Sequence, residues 1–267
     1  MNQYIFDNAA PQAAQRFTSL EVLYDPSTIR HFEAVGIGEG WHCLEVGGGS
    51  GSIAAWLAGR VSPTGHVLVT DIDPRHLTSV ASLGYPQLEI QRHDIGSDPL
   101  PKEAYDLIHA RLVLVHVPAR EPALTKMAAA LKPGGWLVVE DFDSTLIDRG
   151  FSIRDEAARA VYQKMLAAQF ELMTAHGSSI NWGRQLYTHF CAQGLSEVGM
   201  EGQLAMRPGG SVGAQLDRAN FEQVRDEAVA CGLITKDEAE QILTILDDPQ
   251  FAASSPVMMT AWGRRPA

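Results

Sequence analysis

Between residues 45 and 51 the chain reads Glu-Val-Gly-Gly-Gly-Ser-Gly, which sets an acidic side chain and three glycines at alternate positions: Glu45, Gly47, Gly49 and Gly51. The apolar run before them reads as a strand, and residues 52–61 after them read as a helix. A glycine-rich turn at such a junction lets a ligand approach the main chain where a Cβ would collide, and aims free N–H groups at it. Two ligand classes use this device. Dinucleotides ask for G-x-G-x-x-G or A, and Ser52 stands where the last small residue is needed. S-adenosylmethionine is met by an acidic residue followed by G-x-G-x-G, which this stretch satisfies at every position. The plain alternative is a tight strand-to-helix turn with no ligand.

Further carboxylates extend the pattern. Asp71 ends the run HVLVT, 20 residues after Gly51, where a carboxylate can take the hydroxyls of a ribose. Both cofactors carry a ribose, so Asp71 does not separate them. His93-Asp94-Ile95 does, by offering a carboxylate and backbone groups where the adenine edge of S-adenosylmethionine would lie; a solvated loop carboxylate is the plain reading. Methyl transfer from a sulfonium needs a nucleophile about 3–3.5 Å from the methyl carbon, with water kept out. An alcohol or phenol also gains from a base. His116, Glu140, Asp141 and Asp143 fall where the carboxyl ends of strands would place them, and His116 and Asp141 are the catalytic candidates. Against them stand a packed helix histidine and helix-capping aspartates. His176 and His189 flank 177–185 as further bases. His109-Ala110-Arg111 lacks the Asn/Asp-Pro-Pro-Tyr that holds a planar amine, and no carboxylate cluster of the magnesium type is present there, so no metal is expected.

The elements that must position these groups are legible as alternating runs. Strands are expected at 42–46, 66–70, 88–92, 105–110 and 135–140, with helical patterns between them, which gives an α/β doubly wound sheet. Asp73-Pro74 and Asp25-Pro26 each offer a cap followed by a first-turn proline. Leu124, Met127, Ala128 and Leu131 form one helical stripe before Lys132-Pro-Gly-Gly. Ala158, Val161, Met165, Ala168 and Leu172 form another, and Thr235 with Glu238 reads as a capping box. A strand near 197–206 and the terminal run SSPVMMTAWGRR are expected to complete the sheet, and 207–211 reads as a strand-to-helix turn.

Of 267 residues 45% are hydrophobic, enough to bury a large core. With 32 acidic against 21 basic side chains the net charge is −11, which disfavours nucleic acid or an anionic membrane as the partner. Three scattered cysteines suggest neither disulfides nor zinc. No signal peptide or membrane span is read, and the expected location is cytoplasmic.

Taken together, LEVGGGSGSIA, VTDIDP, HDI, YDLIHARLVLVHVP and LKPGGWLVVEDFD resemble, in order and spacing, the class I S-adenosylmethionine-dependent methyltransferases, particularly the ubiquinone/menaquinone-type small-molecule branch. The resemblance is strong over 42–141. It implies a Rossmann-like, mostly parallel seven-stranded sheet with a final antiparallel hairpin. It places Glu45, Gly47, Gly49 and Gly51 beside the methionyl and ribose portion, Asp71 on the ribose, Ile72 against the adenine face, Asp94 and Ile95 at the adenine edge, and Ala110 with Arg111 near the methionine end.

The expected organisation is an N-terminal helical lid (1–35), a cofactor-binding core (36–150), a helical substrate cap (151–194) and C-terminal strands and helices (195–267). Tyr4, Phe17, Asp143, Phe170 and Trp182 are the expected substrate contacts, and they suit an apolar or aromatic acceptor. Methylation at oxygen is expected. A protein that binds S-adenosylmethionine without transfer, a cyclase of the same fold, and an NAD(P)-dependent oxidoreductase remain as alternatives, and a homodimer stays open.

Overall fold

The computed structural model describes residues 5–6 and 12–267. In chain order its elements are α1 (Ala13–Val35), β1 (His42–Val46), α2 (Ser52–Val61), β2 (His66–Asp71), α3 (Thr78–Ala81), β3 (Leu88–Arg92), β4 (Tyr105–Arg111), α4 (Arg120–Ala130), β5 (Leu131–Asp143), α5 (Glu156–Ala175), α6 (Leu186–Ala192), β6 (Ser196–Gln203), β7 (Met206–Pro208), α7 (Val212–Ala230), α8 (Lys236–Asp247), β8 (Ala252–Ser254) and β9 (Val257–Arg264). Single 3-10 turns lie at Pro74–Leu77, Leu114–His116 and Gly183–Gln185. The described residues divide into a sheet unit (residues 24–143, 181–202 and 258–267) and a helical unit (residues 5–6, 12–23, 144–180 and 203–257).

The sheet unit holds seven strands in the order β3-β2-β1-β4-β5-β9-β6, and the β3-β2-β1-β4-β5 block is parallel. Its inner strands are apolar on both faces, as strands covered on both sides must be. Leu44, Ile108, Leu137 and Val139 pack with α4 and α6, while Cys43, Val67, Leu107 and Val138 pack with Phe32 of α1 and Leu57 of α2. The order also fixes where a ligand can sit. From β1 the chain moves outward one way through β2 and β3, then returns to start β4 on the other side of β1. The crevice at the carboxyl ends of β1 and β4 is therefore the topological switch point, where open α/β sheets bind ligands.

The helical unit is built on α5, α7 and α8 around Tyr162, Met165, Leu172, Phe221, Val224, Ile242 and Leu246. Each helix starts on a cap: Asp155 accepts from the N–H groups of Ala157 and Ala158, Ser211 from Ala214, and Thr235 forms the expected capping box with Glu238. A short antiparallel pair, β7 with β8, belongs to the same unit, and so does a buried ion cluster in which Asp217 accepts from Arg149 and Arg207.

Three local expectations are corrected. Asp25-Pro26 starts no helix, because Pro26 lies inside α1. One intrahelical hydrogen bond is lost there, yet the helix continues because Thr28 and Phe32 beyond it are fully buried against the sheet. Leu131 leaves the helical stripe and opens β5 in extended conformation. The strand expected near 197–206 is two pieces: β6 stops at Gln203 and β7 starts at Met206, in the other sheet.

Candidate functional site

The turn after β1 is compressed. Gly47, Gly49 and Gly51 have φ of +73°, +56° and +92°, left-handed values that side-chain-bearing residues rarely adopt. A Cβ on Gly47 would lie 2.2 Å from Val113 Cγ2, one on Gly48 2.5 Å from Val69 Cγ1, and one on Gly51 2.5 Å from Val80 Cγ1. The protein's own packing therefore demands these glycines as firmly as a ligand would. The expectation of free N–H groups is also corrected at four positions. Gly47 and Gly48 both donate to the Thr70 carbonyl (2.7 and 3.0 Å), Gly51 to that of Gly48 (2.8 Å), and Gly49 to Asp71 Oδ2 (3.2 Å). What the turn offers is main chain whose one Cβ is that of Ser50, beside a carboxylate.

That carboxylate is Asp71. Its Oδ1 accepts from the Asp73 N–H (2.9 Å), so one side chain ties the glycine turn to the start of the next loop. Burial pushes its pKa up, against the lowering effect of the two N–H donors. Ile72, directly after it, is 50% exposed, an unusual cost for an apolar side chain beside an open crevice. Asp94 folds back on its own turn, with Oδ1 accepting from the Gly96 N–H (2.8 Å) and its N–H donating to Asp98 Oδ2 (2.9 Å). Ile95 turns inward to the core, and Ala110 is fully buried. Glu45, the glycines, Asp71, Asp94 and Arg111 thus gather at the carboxyl ends of neighbouring parallel strands. Arg111 points to α1, where it donates to Asp25 Oδ1 (2.7 Å) and Thr28 Oγ1 (2.9 Å).

Beneath this edge runs a row of charged groups that the sequence reading did not assemble. Glu45 of β1 stands opposite His109 of β4, and Arg111 of β4 opposite Glu140 of β5. His109 Nδ1 lies 2.8 Å from Glu45 Oε2, and Nε2 lies 3.2 Å from Glu140 Oε2. Glu140 also accepts from Thr28 through Oε2 and from Thr260 through Oε1 (2.9 Å). Phe32 meets the imidazole edge-on at 4.9 Å between centroids. His109 is wholly buried; burial alone would push its pKa down, but the two carboxylates push it up to about 9. Burial pushes the Glu140 carboxyl up, but hydrogen bonding to His109 and the nearby cations hold it at about 2. The available signal was Glu45, His109 and Glu140, each a charged or titratable residue directly after a buried apolar one in its strand.

The other candidates fall as follows. His116 closes the Leu114–His116 turn and is partly exposed. Asp141 is 0% exposed; neither oxygen makes a good hydrogen bond, and burial drives its pKa well up despite the neighbouring Val115 main chain and Arg120. Asp143 is buried and paired with Arg184, its Oδ1 accepting from Nη2 at 2.9 Å. Trp182 is 2% exposed within the sheet unit's core, near Arg120 and His189. Phe17 and Phe170 belong to the helical unit, half-buried on α1 and α5. Tyr4 lies outside the described residues. His176 donates through Nδ1 to the Leu172 carbonyl (2.9 Å), within its own helix end.

A family model described as a methyltransferase domain matches residues 44–139. Methyltransferase str2 of Strobilurus tenacellus is 30% identical over 167 residues, covering 61% of this chain and 57% of that protein. The ubiquinone/menaquinone biosynthesis C-methyltransferase UbiE of Laribacter hongkongensis is 29% identical over 151 residues, covering 51% of this chain and 62% of its own length. The chain thus spans a little over half of these relatives. Among solved structures, the phosphoethanolamine N-methyltransferase 2 of Haemonchus contortus, in complex with phosphomonomethylethanolamine and S-adenosylhomocysteine, matches with a TM-score of 0.60 at 13% identity, over 94% of this chain and 57% of that one. At that identity the likeness concerns the fold.

Proposed function

We propose that this chain, which belongs to the class I S-adenosylmethionine-dependent methyltransferases, transfers a methyl group to a small organic acceptor, at oxygen. The observation that carries the cofactor assignment is the left-handed glycine turn, with Asp71 beside it, at the switch point between β1 and β4. The half-exposed Ile72, directly after Asp71, fits a flat apolar ring. S-adenosylmethionine supplies an electrophilic methyl carbon on a sulfonium.

The chain's residues then divide the work. Asp71 would take the ribose hydroxyls, Ile72 would cover the adenine face, and Asp94 with the main chain at Ile95 would meet the adenine edge. Glu45, with Ala110 and Arg111 across the crevice, would bound the methionyl end. His116, partly exposed at the end of β4's following turn, is the group we assign to take the acceptor's proton. Asp141 is sealed behind that turn, its carboxyl pushed well up by burial beside the Val115 main chain, so we assign it the placement of Leu114–His116. Asp143, Trp182, Phe17, Phe170 and Tyr4 remain the proposed acceptor contacts. Oxygen is favoured because the β4 end carries no motif for a planar amine, and the balance of 32 acidic to 21 basic side chains suits a small acceptor better than a phosphate polymer.

The test is incubation with methyl-labelled S-adenosylmethionine and a panel of phenols, alcohols, amines and carbon acids. Label appearing in a phenol or alcohol, with S-adenosylhomocysteine released in equal amount, supports the reading. Label found only in amines or carbon acids overturns the choice of oxygen.

A further inference from the structure

The buried row under the site has a consequence for the cofactor's binding, and the inference rests on the methyltransferase reading above. We propose that His109 is a positioning residue for the cofactor site: bridging Glu45 and Glu140, it fixes the Glu45 carboxylate at the base of the glycine turn and links it, through Glu140 and Thr28, to α1.

The geometry allows one economical arrangement of protons. Both imidazole nitrogens face carboxylate oxygens, at 2.8 and 3.2 Å, and an ionised carboxylate only accepts. A neutral ring has one N–H and would leave a lone pair against a carboxylate in a dry interior, which is costly. An imidazolium donates to both. Every element packed on the ring contributes to its surroundings: Glu45 from β1, Glu140 and Asp141 from β5, Arg111 from its own strand, Thr28 and Phe32 from α1, and Thr260 from β9 through Glu140. Glu140 is saturated by these neighbours, with Thr28, Thr260 and His109 on its oxygens and Arg111 nearby. Glu45 stands two residues before Gly47 and takes its hydrogen bond from the same ring, so the ring's protonation sets the orientation of the first acidic residue of the turn.

The α1 end is built as firmly. Thr28 has one hydroxyl proton; donated to Glu140, it leaves the oxygen lone pairs for Arg111 Nη1 at 2.9 Å. Arg111 in turn holds Asp25 on the same helix (2.7 Å). Charges therefore alternate without a break from Asp25 through Arg111, Glu140 and His109 to Glu45. A structural core pair would not need to end beside a ligand turn; this row does.

The test compares S-adenosylhomocysteine affinity, by titration calorimetry, of the intact protein and its His109→Asn variant from about pH 7 to about pH 10, a window that spans the imidazole's raised pKa. The variant-to-parent ratio of Kd at each pH cancels the ligand's own ammonium titration. The expected ratio is about 10 near pH 7, the loss of one charge-assisted hydrogen bond, falling toward about 2 near pH 10 as the parent loses the same proton. A ratio near 1 at pH 7, or one that stays constant with pH, overturns the positioning role, the latter by showing a merely structural residue. Should His109→Asn fail to fold, Thr28→Val replaces it: about threefold weaker binding is expected from cutting one hydrogen bond, and unchanged affinity overturns the proposal. A parent protein that binds no S-adenosylhomocysteine at pH 7 overturns the cofactor reading itself, and the proposal with it.

Discussion

Asp71 ties the glycine turn to the next loop and is the proposed ribose ligand, and that makes its removal informative. The side chain accepts from Gly49 and Asp73 and faces the crevice, so Asp71→Ala should weaken S-adenosylhomocysteine binding by about 1–3 kcal/mol and also loosen the turn. Calorimetry for the first effect and a thermal melt for the second separate them; unchanged affinity in a folded variant removes Asp71 from the site. His116→Ala should lower kcat at least tenfold while leaving cofactor affinity within about twofold, since a general base acts on the acceptor's proton. The buried row gives stability a defined pH dependence. His109 has its pKa raised from 6.5 to about 9, so its contribution is fully present below 6.5 and is lost as pH rises through about 9. Glu140 is lowered from 4.5 to about 2, so its contribution is present above 4.5 and is lost as pH falls through about 2. The share of the denaturant midpoint that this pair contributes should therefore be flat between 4.5 and 6.5 and decline on both sides. His109→Asn should remove the alkaline decline.

At the level of elements, the glycine turn and the helical unit's ion cluster are the places where one substitution should cost most. Gly47→Ala demands a left-handed φ of +73° from alanine and puts a Cβ 2.2 Å from Val113 Cγ2. The conformational part alone costs about 1–2 kcal/mol, and the clash adds to it, so a melt should show a drop of several degrees. Asp217→Ala leaves the buried Arg149 and Arg207 without their shared acceptor, and breaking such a pair costs about 3–5 kcal/mol. Proteolysis should then cut the helical unit first, between residues 144 and 180 or between 203 and 257. The elements themselves were largely legible. Strands with β-branched apolar residues, the 52–61 helix, and the Thr235 capping box follow from local chemistry that tertiary packing does not overrule. Asp25-Pro26 misled because its helix is held by burial of Thr28 and Phe32, a contact from elsewhere in the chain. His109 was visible only as a β4 residue, since its partners lie 64 and 31 positions away and meet it through sheet register.

Across the whole molecule, sequence pattern anticipated the doubly wound sheet, while the strand order that puts a switch point between β1 and β4 came from the structure. The proposed cofactor residues come from consecutive strand ends and so keep their spacing in sequence. The proposed acceptor contacts are scattered along the chain, from Tyr4 to Trp182, and no local rule places them. Among the described residues no helix is long and apolar enough to cross a membrane. The charge of −11 predicts no measurable binding to duplex DNA at about 0.15 M salt, which fluorescence anisotropy checks. The most direct measurement for the central claim is calorimetric titration of the protein with S-adenosylhomocysteine beside NAD and NADP. The account predicts a Kd of about micromolar order for S-adenosylhomocysteine and no heat from either dinucleotide. Binding of NAD or NADP in preference, or no binding of S-adenosylhomocysteine, would contradict it.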